Sequence, residues 1–313
     1  MAEHQTKIEW THIPGYRGAT WNPVTGCSRV SDGCTHCYAE DLAMGRLKGT
    51  PGYPGLPWTK ANADVNVVLH PDRLDQTLRW KKPRAVFVNS MSDLFHENIP
   101  DEFLDRAFAA MAVTPDHIYM ILTKRPERMR DYIDGLKSRL PEVIADFYVD
   151  DPVRAGLRPF TADLARRIAH WPLPNVWLGV SAERQRELDL RVPLLLTTPA
   201  AVRFVSAEPL LGPLDFENVD VCNYIIDALS GEWAPEGEPP HVTMLDWVIV
   251  GGESGPLRRP MHLSWLNDIV GQCRRAGTAV FVKQDSMHRP GQQGRIDDDI
   301  WAEKAWPEVA APA

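Results

Sequence analysis

The sequence is short of cysteine, of positive charge and of long apolar runs, and each shortage excludes a class of protein. Five cysteines in 313 residues, odd in number and with three close together, do not make a disulfide framework, and a reducing cytoplasm suits such a chain. No N-terminal apolar segment and no uncharged stretch of membrane length is present, so we expect a soluble, cytoplasmic protein without an export signal or membrane contact. With 34 Lys and Arg against 42 Asp and Glu, the net charge of −8 argues against binding nucleic acid through bulk positive charge. It leaves room for a local basic groove, and cations do gather at Lys124-Arg125, Arg166-Arg167, Arg258-Arg259 and Arg274-Arg275. Low-complexity tracts and short-period repeats are also absent, which excludes a solenoid. What remains is an ordinary globular composition, 44% apolar and 24% charged, long enough for one barrel-type domain or two smaller ones.

Three of the cysteines fall in one stretch, Cys27-Ser-Arg-Val-Ser-Asp-Gly-Cys34-Thr-His-Cys37-Tyr38. A turn at Asp32-Gly33 can bring three thiolates together, so the stretch reads as a metal loop. Three thiolates with one coordination position left open suit a four-iron cluster that must accept a further ligand. His36 as a fourth ligand would instead give a closed Cys3His zinc site. The spacing leaves both open, and buried thiols without metal are the plain alternative. Residues 38–48 have helical character, which sets the loop at a helix N-terminus, where the dipole favours thiolate charge.

Beyond the loop, short apolar runs alternate with amphipathic segments. The runs at 85–89, 117–122, 175–180, 202–205, 246–250 and 278–282 are continuous rather than alternating, which indicates parallel strands covered on both faces. With an extended segment at 21–24 the total is about seven, fewer than the eight of a closed barrel. We therefore expect a single α/β domain, a partial (β/α)6-type parallel barrel. It carries an irregular arm at 1–20, insertions at 138–172 and 219–245, and a C-terminal extension at 285–313. Each strand ends in polar residues: Asn89, Ser90, Ser92 and Asp93; Thr123 and Lys124; Ser181 and Glu183; Ser206 and Glu208; Gly251, Gly252 and Glu253; Lys283 and Gln284. Singly, each is a helix cap or turn residue. Together around one mouth, with three cysteines added, they constitute a site.

These residues resemble those of the radical S-adenosylmethionine (SAM) enzymes. In that superfamily three cysteines after the first strand of a partial barrel hold a [4Fe-4S] cluster, and SAM chelates the open iron. An aromatic residue commonly lies beside the last cysteine, and His36-Cys37-Tyr38 is similar. The usual spacing has three residues between the first two cysteines, whereas six separate Cys27 from Cys34. A longer set of segments resembles the phage and bacterial three-Cys-motif family, which is radical-SAM-like and mostly of unknown function. They are Thr6-Lys-Ile-Glu-Trp10-Thr, Trp21-Asn-Pro-Val-Thr-Gly-Cys27, Leu122-Thr-Lys-Arg-Pro126, Trp177-Leu-Gly-Val-Ser181, Ser206-Ala-Glu-Pro-Leu210 and Val248-Ile-Val-Gly-Gly-Glu-Ser-Gly255. The family's Phe-Lys-Gln-Trp-Gly in the last strand becomes Val282-Lys-Gln284-Asp-Ser286 here.

The resemblance implies an enzyme of lyase or oxidoreductase type that cleaves SAM to a 5′-deoxyadenosyl radical. An external electron donor such as flavodoxin or ferredoxin would serve it. It makes Cys27, Cys34 and Cys37 the cluster ligands, and Tyr38, Ser90, Ser92, Asp93, Lys124, Ser181 and Glu183 the cofactor-binding set. Glu208, Gly251, Gly252, Glu253 and Lys283 fall to the substrate side, with Cys222 and Glu253 as candidate catalytic groups. Cys273 reads as a core thiol. A distant similarity to spore photoproduct lyase suggests a nucleic-acid base as substrate, by analogy of fold. The rival expectation is an iron–sulfur or zinc module without radical chemistry, holding a partner or nucleic acid at the barrel mouth.

Overall fold

The computed structural model describes residues 6–151, 153–221, 224–234 and 243–308. Seven strands form one sheet: β1 (Arg17–Trp21), β2 (Arg84–Val88), β3 (Ile118–Thr123), β4 (Val176–Ser181), β5 (Val202–Ala207), β6 (Trp247–Gly251) and β7 (Ala279–Gln284). They pair in that order and all in parallel. Because chain order and spatial order coincide, each crossover advances in the same direction, and the sheet curls into a half barrel. Its first and last strands do not pair with each other.

Six strands lie where their apolar runs place them. The first does not: residues expected as irregular arm form β1, and Val24–Thr25 pairs antiparallel with Val68–Leu69 instead. Arg17-Gly-Ala-Thr carries too little apolar bulk to read as a strand, and it becomes one through its neighbour β2. Elsewhere continuous apolar runs arise because alternate residues enter two different cores. On β6, Trp247 and Ile249 face the concave side while Val248 and Val250 face the helices. The concave core holds Trp10, Met120, Trp177, Phe204, Trp247 and Phe281. Trp247 sits at its centre, with ring centroids 5.7 to 6.2 Å from Phe204, Trp10 and Trp177. The convex side is covered by helices α2 (Asp101–Ala112), α3 (Pro126–Asp150), α4 (Gln185–Thr197) and α5 (Leu263–Ala276), while α1 (Tyr38–Met44) follows the cysteine loop.

The stretch expected as an insertion from 138 is in part a continuation of α3, which runs to Asp150 and is followed by short helices at Val153–Leu157 and Ala162–Ile168. The 219–245 stretch contains a small antiparallel sheet of Val219–Val221, Tyr224–Ile226 and Trp233–Ala234. Both chain ends serve the barrel. Val282 N–H donates to Glu303 O (2.8 Å) and Ala305 N–H to Val280 O (2.9 Å), which covers the free edge of β7. Thr6 N–H donates to Gly18 O (3.2 Å) at the edge of β1. The two ends then meet beneath the sheet, where Trp306 Nε1–H donates to Trp10 O (2.8 Å) and Trp247 Nε1–H to Ala305 O (2.9 Å). Unpaired strand edges are thereby covered without an eighth strand. Among the described residues no helix is long and apolar enough to cross a membrane.

One buried group couples this core to pH. His117, 1% exposed at the foot of β3 between Trp80 and Tyr119, has its pKa pushed down from 6.5 to about 4, first by burial and then by Arg158. A depressed histidine contributes stability that is whole above its unfolded pKa and is lost as pH falls toward the folded one. Acidification from pH 6.5 to about 4 should therefore cost the protein up to about 3 kcal/mol through this group. Urea titrations of the His117→Phe variant across that range should show a flatter pH dependence than the parent; equal slopes would refute the assignment.

Candidate functional site

Side chains alternate along a strand, so a residue two places beyond an inward apolar side chain faces the same concave side. Ser206 follows Phe204 in this way and Ser181 follows Trp177 by two such steps, while Lys283, at a break in the β6–β7 register, reaches Glu208 at the same end. The concave face is thus apolar below and polar at the carboxyl end. Over that polar end lies the cysteine loop.

The loop leaves β1 through Asn22, whose Oδ1 accepts from Ser90 Oγ (3.2 Å) and Met91 N (3.0 Å). Gly26 then takes φ +80°, and a side chain there would overlap the Asn66 carbonyl. Further on, the loop is tied across the mouth by groups from three strand ends. Gly33 N–H donates to Glu183 beyond β4 (3.1 Å), and His36 Nδ1–H donates to Glu253 beyond β6 (2.9 Å). Arg259 Nη2 bonds both the Asp32 carbonyl (3.0 Å) and Glu253 (2.7 Å). Beyond β3, Arg125 reaches Cys27 Sγ (3.6 Å), the Ser28 carbonyl (3.2 Å), Ser28 Oγ (3.0 Å) and Asp93 (3.1 Å). Ser28 Oγ lies in turn 2.9 Å from His96 Nε2.

Several residues assigned to ligands from the sequence are therefore braces in the structure. Asp93 accepts from Thr123 Oγ1, Lys124 N, Phe95 N and Arg125, and Ser92 Oγ donates to the Val24 carbonyl (3.0 Å). Glu183 is wholly buried, with Arg191 on its second oxygen (3.0 Å). Gly251 and Gly252 answer to packing: a side chain on Gly252 would meet Ser286 Oγ at 2.4 Å, and one on Gly251 would meet Glu208 at 2.8 Å. The braces Arg125 and Arg259 were visible in the sequence only as members of basic pairs, and nothing in the sequence marks which acid each would meet.

Other groups keep free chemistry at the mouth. Lys124 forms no ion pair among the described residues, yet it stands in the field of Glu183 and Cys37. Lys283 Nζ pairs with Glu208 Oε1 at 3.0 Å, and Ser206 Oγ donates to the other oxygen of Glu208 (3.3 Å). The ring of Tyr38 is 53% exposed while its hydroxyl donates to the Ser90 carbonyl (2.5 Å). Cys222 lies outside the described residues. Cys273 is buried in α5, its pKa pushed up to about 12 chiefly by burial, which leaves it an unreactive thiol.

Cys27, Cys34 and Cys37 are free and partly buried. Burial and then Asp93 push Cys27 up to about 12, with Arg125 opposing. Burial likewise raises Cys37, against the backbone N–H groups of Glu40 and Ala39 at the start of α1. The loop's charges are balanced by cations: Arg29, bound to buried Glu40, lies in the field of Cys34 and Cys37. Among the described residues no three His, Cys, Asp or Glu side chains converge as ligands of a single ion. One zinc needs its sulfurs within about 4 Å of one another, given Zn–S near 2.3 Å, while the Nδ1–H bond of His36 to Glu253 leaves its Nε2 as a nitrogen that could bind a metal. A four-iron cube would take one cysteine at each of three corners. Binding would have to deprotonate the raised thiols, and Arg125, Arg29 and Lys124 stand where they would offset the thiolate charge.

Glu183 and Glu253 are both held below the ordinary glutamate range despite burial, by Lys124 and Arg191 for the first and chiefly by Arg259 for the second. Their grip on the loop is present above the unfolded glutamate pKa and lost as pH falls through the lower folded value. At neutral pH, Glu253→Ala should remove the His36 and Arg259 anchors together and destabilise the chain by about 3 kcal/mol. Hydrogen exchange should then quicken at residues 31–37 while the amides of β3 stay protected. Unchanged protection of the loop would show that it is held by other means.

Residues 5–306 match a family described as a protein of unknown function, DUF5131. No curated protein and no solved structure matches the chain. The match spans nearly all of the half barrel, the cysteine loop and the closing segments at both ends. The chain belongs to the DUF5131 family.

Proposed function

We propose that the protein is a radical SAM enzyme, with Cys27, Cys34 and Cys37 holding a [4Fe-4S] cluster and the fourth iron left to SAM. The observation that carries this reading is the position of the three thiols: one loop, fastened over the polar mouth of a partial parallel barrel by that barrel's own strand ends. When bound, the cluster supplies the electron that splits SAM into methionine and a 5′-deoxyadenosyl radical. The chain's residues bind, orient and exclude water. Lys124 offers an unpaired ammonium for the SAM carboxylate, as a flexible point charge. Ser90 Oγ already donates to Asn22, so its lone pairs remain for the SAM amino group. Ser181, at the inward end of β4, suits a ribose hydroxyl, and Tyr38 shields the open side.

Ser92, Asp93, Glu183 and Glu253 then act on the cofactor through the loop they hold. Glu208 with Lys283 faces the substrate, for which a nucleic-acid base is the candidate class. An external one-electron donor such as flavodoxin or ferredoxin completes the cycle. The alternative, a metal module without radical chemistry, has in its favour the thiols and a His36 oriented by Glu253.

Anaerobic reconstitution should give about four irons and four sulfides per chain, with visible absorbance that dithionite bleaches. Cys34→Ala should lose both while remaining folded. A colourless protein carrying zinc would support the alternative instead. Reduced enzyme with SAM should release 5′-deoxyadenosine. Lys124→Ala should keep its iron but bind SAM about 10 to 100-fold more weakly, the worth of a charge-assisted hydrogen bond. Undiminished SAM affinity would remove Lys124 from the site.

A further inference from the structure

We infer that the rim of the barrel mouth binds a single strand of nucleic acid and presents its unpaired bases to the opening. The loops that build the rim span residues 22–62, 89–99, 124–125, 182–186, 208–214, 252–262 and 283–296. They hold thirteen Lys and Arg against nine Asp and Glu, in a chain whose net charge is −8. Positive charge is therefore concentrated on this one face. Five of the nine carboxylates, Glu40, Asp93, Glu183, Glu253 and Asp285, are buried and bound by arginines. Each cancels the arginine that binds it, four of the thirteen cations among them, so the outer field comes from the cations left unpaired. Arg46, Lys48, Lys60, Arg186 and Arg289 are exposed and form no ion pair among the described residues. They come from the segments after α1 and β7 and from the first turn of α4, so free cations stand on several sides of the opening.

Apolar groups are interleaved with these cations. Val30 is 46% exposed beside Arg29, Leu257 is 71% exposed beside Arg258, and Tyr38 is 53% exposed next to Cys37. Phosphates would meet the cations and base faces would meet the apolar groups, a combination that suits unpaired strands. A duplex hides its base faces and would leave those side chains unused. The Tyr38 ring is fixed by its hydroxyl bond to Ser90, so it is a preformed platform. Strand binding itself needs no cluster. The delivery of a base to the mouth rests on the function proposed above, and it names that reaction's substrate class.

The test is fluorescence anisotropy with a fluorescein-labelled single-stranded DNA oligonucleotide, using metal-free and cluster-loaded protein. The matching duplex, polyglutamate and phosphatidylserine vesicles serve as comparators. With about five phosphates neutralised, a fourfold rise in salt should weaken strand binding about 100-fold. Lys60→Glu and Arg186→Glu should each cost about tenfold and lower the salt dependence. Lys137→Glu, on the exposed side of α3, should cost nothing. Tyr38→Ala, or Leu257→Asp where the first disturbs the fold, should weaken strand binding about tenfold while leaving the salt dependence in place. Equal or tighter binding to duplex, polyglutamate or vesicles would overturn the inference, as would an equal loss with Lys137→Glu. Strand binding without 5′-deoxyadenosine formation would retain it and remove the proposed chemistry. Cleavage of SAM without strand binding would do the reverse.

Discussion

Two buried carboxylates govern the arrangement of the mouth. A charge withdrawn from water is tolerated only where opposite charge and hydrogen-bond donors replace the lost solvent. Glu183 finds Arg191 and the Gly33 amide; Glu253 finds Arg259 and His36. In both cases one of the replacements belongs to the cysteine loop. The need to satisfy an acid at the end of a strand thus becomes a constraint on where three sulfurs lie. Arg125 does the converse from β3, a buried cation whose partners include Asp93 and the Cys27 sulfur. No hydrophobic contact would fix an irregular loop so closely, because packing lacks the directionality of these bonds.

Beneath this polar layer the half barrel is held by a different kind of contact. Its concave face is filled by large aromatic rings at tilted or edge-on angles, centred on Trp247. Such a core has few ways to repack, so the strand ends above it are set on a stiff base. The terminal segments add Trp10 from one end of the chain and Trp306 from the other. Seven strands suffice because the space an eighth would fill is taken by these rings and by the 303–305 segment along β7.

Much of this was legible in the sequence, for definite reasons. Continuous apolar runs marked six strands because both faces of the sheet are buried, and the polar residues after them marked the end of the barrel over which the cysteine loop lies. The first strand escaped because Arg17-Gly-Ala-Thr has no apolar signature of its own. The closing role of the two ends escaped because it depends on tryptophans separated by almost the whole chain. Among the site residues, type was readable and partnership was not: Asp93, Glu183 and Glu253 could be picked out as acids at strand ends. Their bonds to the loop and to Arg125, Arg191 and Arg259 are set by three-dimensional placement alone. Gly251 and Gly252 carried two readings, and the close approach of Glu208 and Ser286 accounts for both glycines through packing.

The span of the loop's anchors also orders events in time. Gly33 waits 150 residues for Glu183, and His36 waits 217 for Glu253. On the ribosome the loop emerges early, Arg125 follows to meet Cys27 and Ser28, and the two acid anchors come only with the ends of β4 and β6. The seam between Trp10 and Trp306 is sealed later still. The loop therefore takes its final place over the mouth only when strands far along the chain have joined the sheet, so its geometry reports the completion of the barrel.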